Sequence, residues 1–266
     1  MTAFSAPLVC DGRASVAPRP PWHYVADQIV IEFEAEPAVL RQFAPRGFNV
    51  ERGTCSAVFA DWQFATDEGQ EYADPVRSQY KEFYVLVHGR YTDRDAATCP
   101  LIWVTQDIAM IRGFAQGFPK QFGSVYLTRT FRIPSCAAPA LAPGARFGAS
   151  LAARDQRLAT ARITLESLGS LPVVEKLPLL NVRHVPQLQK PHWEEPLVHD
   201  LVRVKGRDAS FSDVWTGSAE LNFHPAEHQV LHLLQPRSIG AAFVYSLAVT
   251  VDDIEPLEDY RRGQQI

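Results

Sequence analysis

Long stretches in which apolar and polar residues alternate at period two constrain this chain more than any other feature. That period sends successive side chains to opposite faces of an extended strand. Residues 28–34 place Ile29, Ile31 and Phe33 on one face. Residues 83–88 form a mostly apolar run, and 122–133, 157–166, 199–206, 214–223 and 241–251 alternate in a similar way, separated by Gly and Pro turns. Segments of that kind predict a curved sheet or barrel. Helical signals are fewer. Pro37 suits the first position of a short helix over 37–43. Thr105 suits an N-cap for a helix over 106–115, with Asp107 in its first turn, and Pro225 suits the start of a helix over 225–234. The expectation is an α+β, sheet-dominated fold in one domain, residues 22–266. Residues 1–21 hold four prolines and are expected to form a flexible arm.

Of the 266 residues, 46% are hydrophobic, enough for a sizeable core, and the formal net charge is -4. Basic residues are scattered, and the densest group, Arg203, Lys205 and Arg207, alternates with other residues as a solvated strand face would. Neither feature suggests nucleic-acid binding. No apolar run reaches the roughly 18 residues needed to cross a bilayer as a helix, and no basic segment followed by an apolar core marks a signal peptide. Cys10, Cys55, Cys99 and Cys136 lie far apart without a C-x-x-C. Free thiols in a cytoplasmic protein are the expectation.

The familiar phosphate-binding, zinc-protease and serine-hydrolase motifs are absent. His224, His228 and His232 would share a face if they lay on one helix, the single spacing that suggests a metal. Pro225 would then leave His224 outside that helix, and a solvated or packed histidine face is the favoured reading, with no metal. The remaining candidate is the segment 113–123, Gly-Phe-Ala-Gln-Gly-Phe-Pro-Lys-Gln-Phe-Gly. It leaves a predicted helix, turns through Gly117 and Pro119, and enters a predicted strand. Pro119 biases Phe118 toward extended backbone, and aromatic residues flank Lys120. A lysine there can be held in an apolar cavity, or it can begin a strand and snorkel to water.

Gly117-Phe118-Pro119-Lys120 resembles the Schiff-base lysine motif of the acetoacetate decarboxylase family. Tyr80-Lys81-Glu82-Phe83 resembles that family's Tyr-x-Glu strand start. Residues 179–186 resemble a run leading into a late strand, and Asp213-Val214-Trp215-Thr216-Gly217 resembles its Trp-Thr-Gly strand. The match runs roughly over 26–250. The resemblance implies a cone-shaped antiparallel β-barrel with a few flanking helices, a cofactor-independent enzyme and a homo-oligomer.

A lysine amine attacks a ketone only when neutral, and an ordinary pKa near 10.4 leaves roughly one in 2,500 neutral at pH 7. Lowering such a pKa to about 7 takes roughly 4.6 kcal/mol of preference for the neutral form. Acetoacetate decarboxylase itself is the standard example of activation by an adjacent cation. Gln121 stands where that second lysine would be, so burial alone would have to activate Lys120, and burial can shift a lysine by roughly 3–5 units. Residues 26–28 offer no counterpart to the decarboxylases' arginine, and residues 57–59 none to their first glutamate. Glu82 matches the second. These departures point to the family's pyruvate aldolase-dehydratases: Lys120 forms the imine, Glu82 shuttles protons, and Gln116 and Tyr80 supply donors to the keto acid. Tyr245, on an apolar strand, either reaches the cavity or belongs to the core. The expected partners are pyruvate and an aldehyde. Decarboxylation of acetoacetate or a related β-keto acid, and non-catalytic keto-acid binding, are the alternatives.

Overall fold

A computed structural model describes residues 4–6, 15–261 and 264–265. Cys10 and most of the predicted arm lie outside the described residues. Within the arm, the Ser5 hydroxyl accepts the Ala17 N–H at 2.8 Å, and Ala17 is buried with Trp22, Phe64 and Ile108.

In chain order the elements begin with β1 (Trp22–Glu34), α1 (Pro37–Phe43), β2 (Phe48–Asn49), β3 (Thr54–Ala65), α2 (Pro75–Ser78), β4 (Gln79–Tyr91) and β5 (Arg94–Val104). They continue with α3 (Asp107–Ala115), β6 (Lys120–Phe122), β7 (Ser124–Leu127), β8 (Arg146–Ala153) and β9 (Gln156–Leu168). The last are β10 (Leu180–Val185), β11 (Val198–Phe211), β12 (Trp215–Phe223), β13 (Ser238–Asp259) and β14 (Gln264–Gln265). One mixed sheet takes all the strands, with its main path in the order β6-β5-β4-β3-β1-β13-β12-β9-β8-β7. Its ladders are antiparallel except that of β5 with β6.

The predicted cone is realised as a wrapped sheet whose hydrogen-bonded path stays open. β6 and β7 stand at opposite ends of that path, yet Gly123 alone separates them in sequence. Covalent continuity therefore brings the two edges together. A Cβ on Gly123 would lie 3.0 Å from Trp103 Cβ and 3.1 Å from Leu151 Cδ1, so the junction is tight. On its other side β13 pairs with β11, which carries β10. An isolated parallel bridge from Leu179 to Ala97 ties that branch back to β5. The wall β13-β1-β3-β4-β5 thus has a chamber on each face, which is why both faces are apolar.

Period two sorts the residues between the chambers. Ile29, Ile31, Phe33, Phe59, Phe83 and Trp103 belong to the larger core, where Phe33 meets Phe223 edge-on at 5.5 Å and Phe59 meets Phe83 at 4.6 Å. Aromatic pairs of this kind contribute about 0.5–1.5 kcal/mol each beyond their burial. Val30, Val58, Trp62, Tyr80 and Ile102 face the second chamber. Register shifts along the β11 pairing with β13 bend the branch over that chamber.

Three local expectations differ from the structure. The alternation over 122–133 yields strand only to Leu127, because Gly123 interrupts it and the next partner hydrogen bonds run out beyond Thr128. Thr105 is not the cap of α3. Its hydroxyl accepts the Lys81 N–H at 2.9 Å, which extends the β4 edge, and Gln106 occupies the N-cap position. Residues 225–234 form only a 3-10 turn at Leu231–Leu234. His228 has a φ of 57°, so the three histidines share no helix face. Among the described residues no helix is long and apolar enough to cross a membrane.

Candidate active site

The turn between α3 and β6 places Lys120. Phe118 N–H donates to Gly113 O at 2.9 Å and Gly117 N–H to Phe114 O at 3.2 Å. That pair of bonds is a Schellman termination, which puts the residue after the cap in the left-handed region. Gly117 sits there with a φ of 81°, and a Cβ on it would stand 2.9 Å from Asn181 Cβ. Pro119 then turns the chain tightly enough for Lys120 N–H to reach Phe118 O at 2.9 Å. Lys120 enters β6 opposite Ile102 of β5, and directly paired residues share a face.

Glu82 reaches the same face from β4, opposite Val104. Ile102 and Val104 are two apart on β5, so Glu82 and Lys120 lie diagonally across that strand. Lys120 Nζ is 2.5 Å from Glu82 Oε1, and the two side chains are 8% and 6% exposed. The pair is therefore sequestered. Glu82 itself is buried, while its neighbour Lys81 pairs with Asp61 at 2.8 Å. The ammonium also lies 5.7 Å from the Tyr80 ring centre and 5.6 Å from that of Phe118.

Above the pair opens a cavity of about 530 Å³, lined by Tyr24, Tyr80, Glu82, Gln116 and Lys120 at its polar end. Apolar residues from β11 and the segment before β10, among them Leu179, Val204 and Phe211, line the rest. Tyr80 stacks on Trp62 at 6.3 Å. Gln116 is buried and donates to Arg112 O at 3.1 Å. Tyr245 does not line this cavity directly; its hydroxyl donates to Glu175 Oε1, and Glu175 lines it.

Sequence reasoning missed three neighbours. Arg112 is 1% exposed, with its guanidinium carbon 3.5 Å from the Phe64 ring centre. It lies beside the Tyr24 and Tyr80 phenols closely enough to oppose the rise that burial imposes on both. Among the described residues none of its nitrogens has a hydrogen-bond partner within geometric limits. Gly113 is the second: a Cβ there would stand 2.4 Å from Lys120 Cε and 2.5 Å from Cδ, so its bare Cα makes room for the lysine stem. The third is Tyr24, which faces the cavity from β1. The only available signal was spacing, since Arg112 precedes Gln116 by one helical turn in an otherwise apolar segment. Among the described residues no cluster of His, Cys, Asp and Glu side chains is arranged to hold a metal ion.

The family model described as acetoacetate decarboxylase (ADC) matches residues 5–261. Among solved structures, the enduracididine biosynthesis enzyme MppR complexed with pyruvate is 31% identical, with a TM-score of 0.89, covering 97% of this chain and 98% of that one. MppR complexed with the condensation product of pyruvate and imidazole 4-carboxaldehyde is 32% identical, with a TM-score of 0.89 and 97% of each chain covered. An acetoacetate decarboxylase-like enzyme from Sphingomonas wittichii RW1 shares the fold at 23% identity and a TM-score of 0.89, covering 97% of this chain and 100% of that one. No curated protein matches the sequence.

Proposed function

This chain belongs to the acetoacetate decarboxylase family, and from that premise we propose that it is a Schiff-base lyase that condenses pyruvate with an aldehyde and eliminates water. The observation that carries the reading is the sequestered Lys120–Glu82 pair, 2.5 Å apart beneath a cavity with one polar and one apolar end. The MppR complexes with pyruvate and with a condensation product support it by similarity.

Glu82 takes the ammonium proton across the short contact and frees the amine to attack the pyruvate ketone. Water leaves, and the protonated imine becomes an electron sink. Pyruvate cannot lose its carboxylate into that sink, because the carboxylate is on the imine carbon itself. A methyl proton leaves instead, and the resulting enamine attacks the aldehyde. The imine does the work of a Lewis acid, so the scheme needs no metal or organic cofactor. The unbonded Arg112 guanidinium and the Gln116 amide are the groups we assign to the pyruvate carboxylate, since a buried cation gains most from an anionic partner. The wide apolar end suits an aldehyde with an apolar or aromatic side chain. We take the enzyme to be a cytoplasmic homo-oligomer, with residues 22–266 as its single domain.

Incubation with pyruvate and borohydride should add one reduced pyruvate per chain at Lys120, and Lys120→Ala should abolish the adduct. An adduct on another lysine, or none, defeats the proposal. Carbon dioxide release from acetoacetate at roughly 1–1,000 per second, a rate ordinary for enzymes, would establish the decarboxylase reading in its place.

A further inference from the structure

We infer that the cavity is worked by two carboxyl groups, with Glu175, held by the Tyr245 hydroxyl, acting as the acid that meets the aldehyde oxygen. The inference rests on the lyase reading above and assigns a residue that the reading leaves idle.

Glu175 lies on the 3-10 turn Val173–Lys176. Among the described residues it and Glu82 are the two carboxyls that line the chamber. Tyr245 is 3% exposed and reaches from β13 to donate its hydroxyl to Glu175 Oε1. Tyr84 stands two residues beyond Glu82 on the same face of β4 and also lines the cavity. After burial, the charges on Glu175 and then Glu82 are the main causes that hold its phenol well above the ordinary value, so Tyr84 lies within electrostatic reach of both acids.

The chemistry asks for two positions. Glu82 is tethered at the imine nitrogen, where it can reach the pyruvate methyl. The aldehyde oxygen becomes an alkoxide further along the new carbon chain. In the condensation, the enamine carbon bonds to the aldehyde carbon and the carbonyl pair moves onto oxygen, which takes the proton of Glu175. The proton that Glu82 took from the methyl then passes to Glu175 through the hydroxyls and water of the cavity. In the dehydration, Glu82 removes the remaining proton beside the imine carbon, and Glu175 protonates the hydroxyl as it leaves as water. A second transfer from Glu82 to Glu175 restores both groups, and hydrolysis of the imine releases the unsaturated keto acid. Protons and electrons balance without any redox partner.

Burial lifts the Glu175 carboxyl above its ordinary value, and the Tyr245 hydroxyl opposes that rise. The other titratable groups near it are Tyr84 and Glu82 on β4, Lys176 on its own turn, and Glu32 of β1, which accepts the Val173 N–H.

The test uses the whole enzyme with pyruvate and benzaldehyde, with three readouts: borohydride trapping, exchange of the pyruvate methyl protons in deuterium oxide, and condensation. Glu175→Gln should trap and exchange within about twofold of wild type, while condensation falls by about 100-fold or more, the usual share of general acid catalysis. Glu82→Gln should lose exchange instead. Tyr245→Phe removes a hydrogen bond to the charged carboxylate, so the descending limb of its condensation rate should move to higher pH. Glu175→Asp should recover part of the activity. Normal condensation by Glu175→Gln, or an unmoved limb in Tyr245→Phe, overturns the assignment. Wild type that neither traps nor exchanges pyruvate overturns the lyase reading itself, a distinct result.

Discussion

Glutamine at position 82 keeps the shape of the side chain but cannot carry a proton. Glu82→Gln should therefore still be trapped at Lys120 after prolonged incubation with pyruvate and borohydride. Its turnover should fall by roughly 100- to 10,000-fold, the range for general acid–base catalysis. Measuring trapping yield and condensation rate on one preparation separates the two effects, and normal turnover would make Glu82 a structural residue. Lys120, Glu82 and Tyr80 were legible because a short motif carries each one, Gln116 because it lies in the segment that leads to Lys120, and the structure brings all four to one cavity. Arg112, Tyr24 and Glu175 were not. Spacing from Gln116 is a weak mark for Arg112, and Tyr24 and Glu175 become relevant only through residues far away in sequence.

The turn from α3 to β6 is the element on which the site depends. Gly113→Ala gains up to about 1 kcal/mol of helix preference, which offsets part of the cost of displacing the Lys120 stem, so the protein should stay folded with a modestly lower melting temperature. The new methyl group would occupy the space of the Lys120 stem, so the rate of pyruvate trapping should fall by at least tenfold. Unchanged trapping would mean that the stem moves aside without losing its aim. Period-two alternation located the strands well, because each strand has a side facing the core. The helical expectations at Thr105 and Pro225 went astray for a common reason. A cap or a helix start is a weak local preference, and at Thr105 a hydrogen bond to the neighbouring strand outweighed it.

For the whole molecule, acid stability offers a test at the far end of the shared wall. Burial holds His88 down to about 4, with Ser56 Oγ 3.0 Å from its Nε2. An unfolded histidine titrates near 6.5, so between these values the unfolded chain binds the extra proton. Stability is then fully present above about 6.5, falls as the pH drops toward about 4, and levels off below that; the change is roughly 3 kcal/mol at most. Urea unfolding at pH 7 and pH 4.5 should show a smaller difference for His88→Gln than for wild type. Equal differences would mean that other groups dominate the acid limb.

Neighbours one to four positions away settle which residues face each side of each strand, and that a lysine follows a glycine-proline turn. The two chambers of the wall, and the side chains that meet in the second, arise only when the whole chain is folded. Lys120 and Glu82 are 38 residues apart, and Tyr245 and Glu175 are 70 apart. Contacts at such separations are set by strand register and by the bends that fold the β10–β11 branch over the wall, and neither leaves a local mark on the chain.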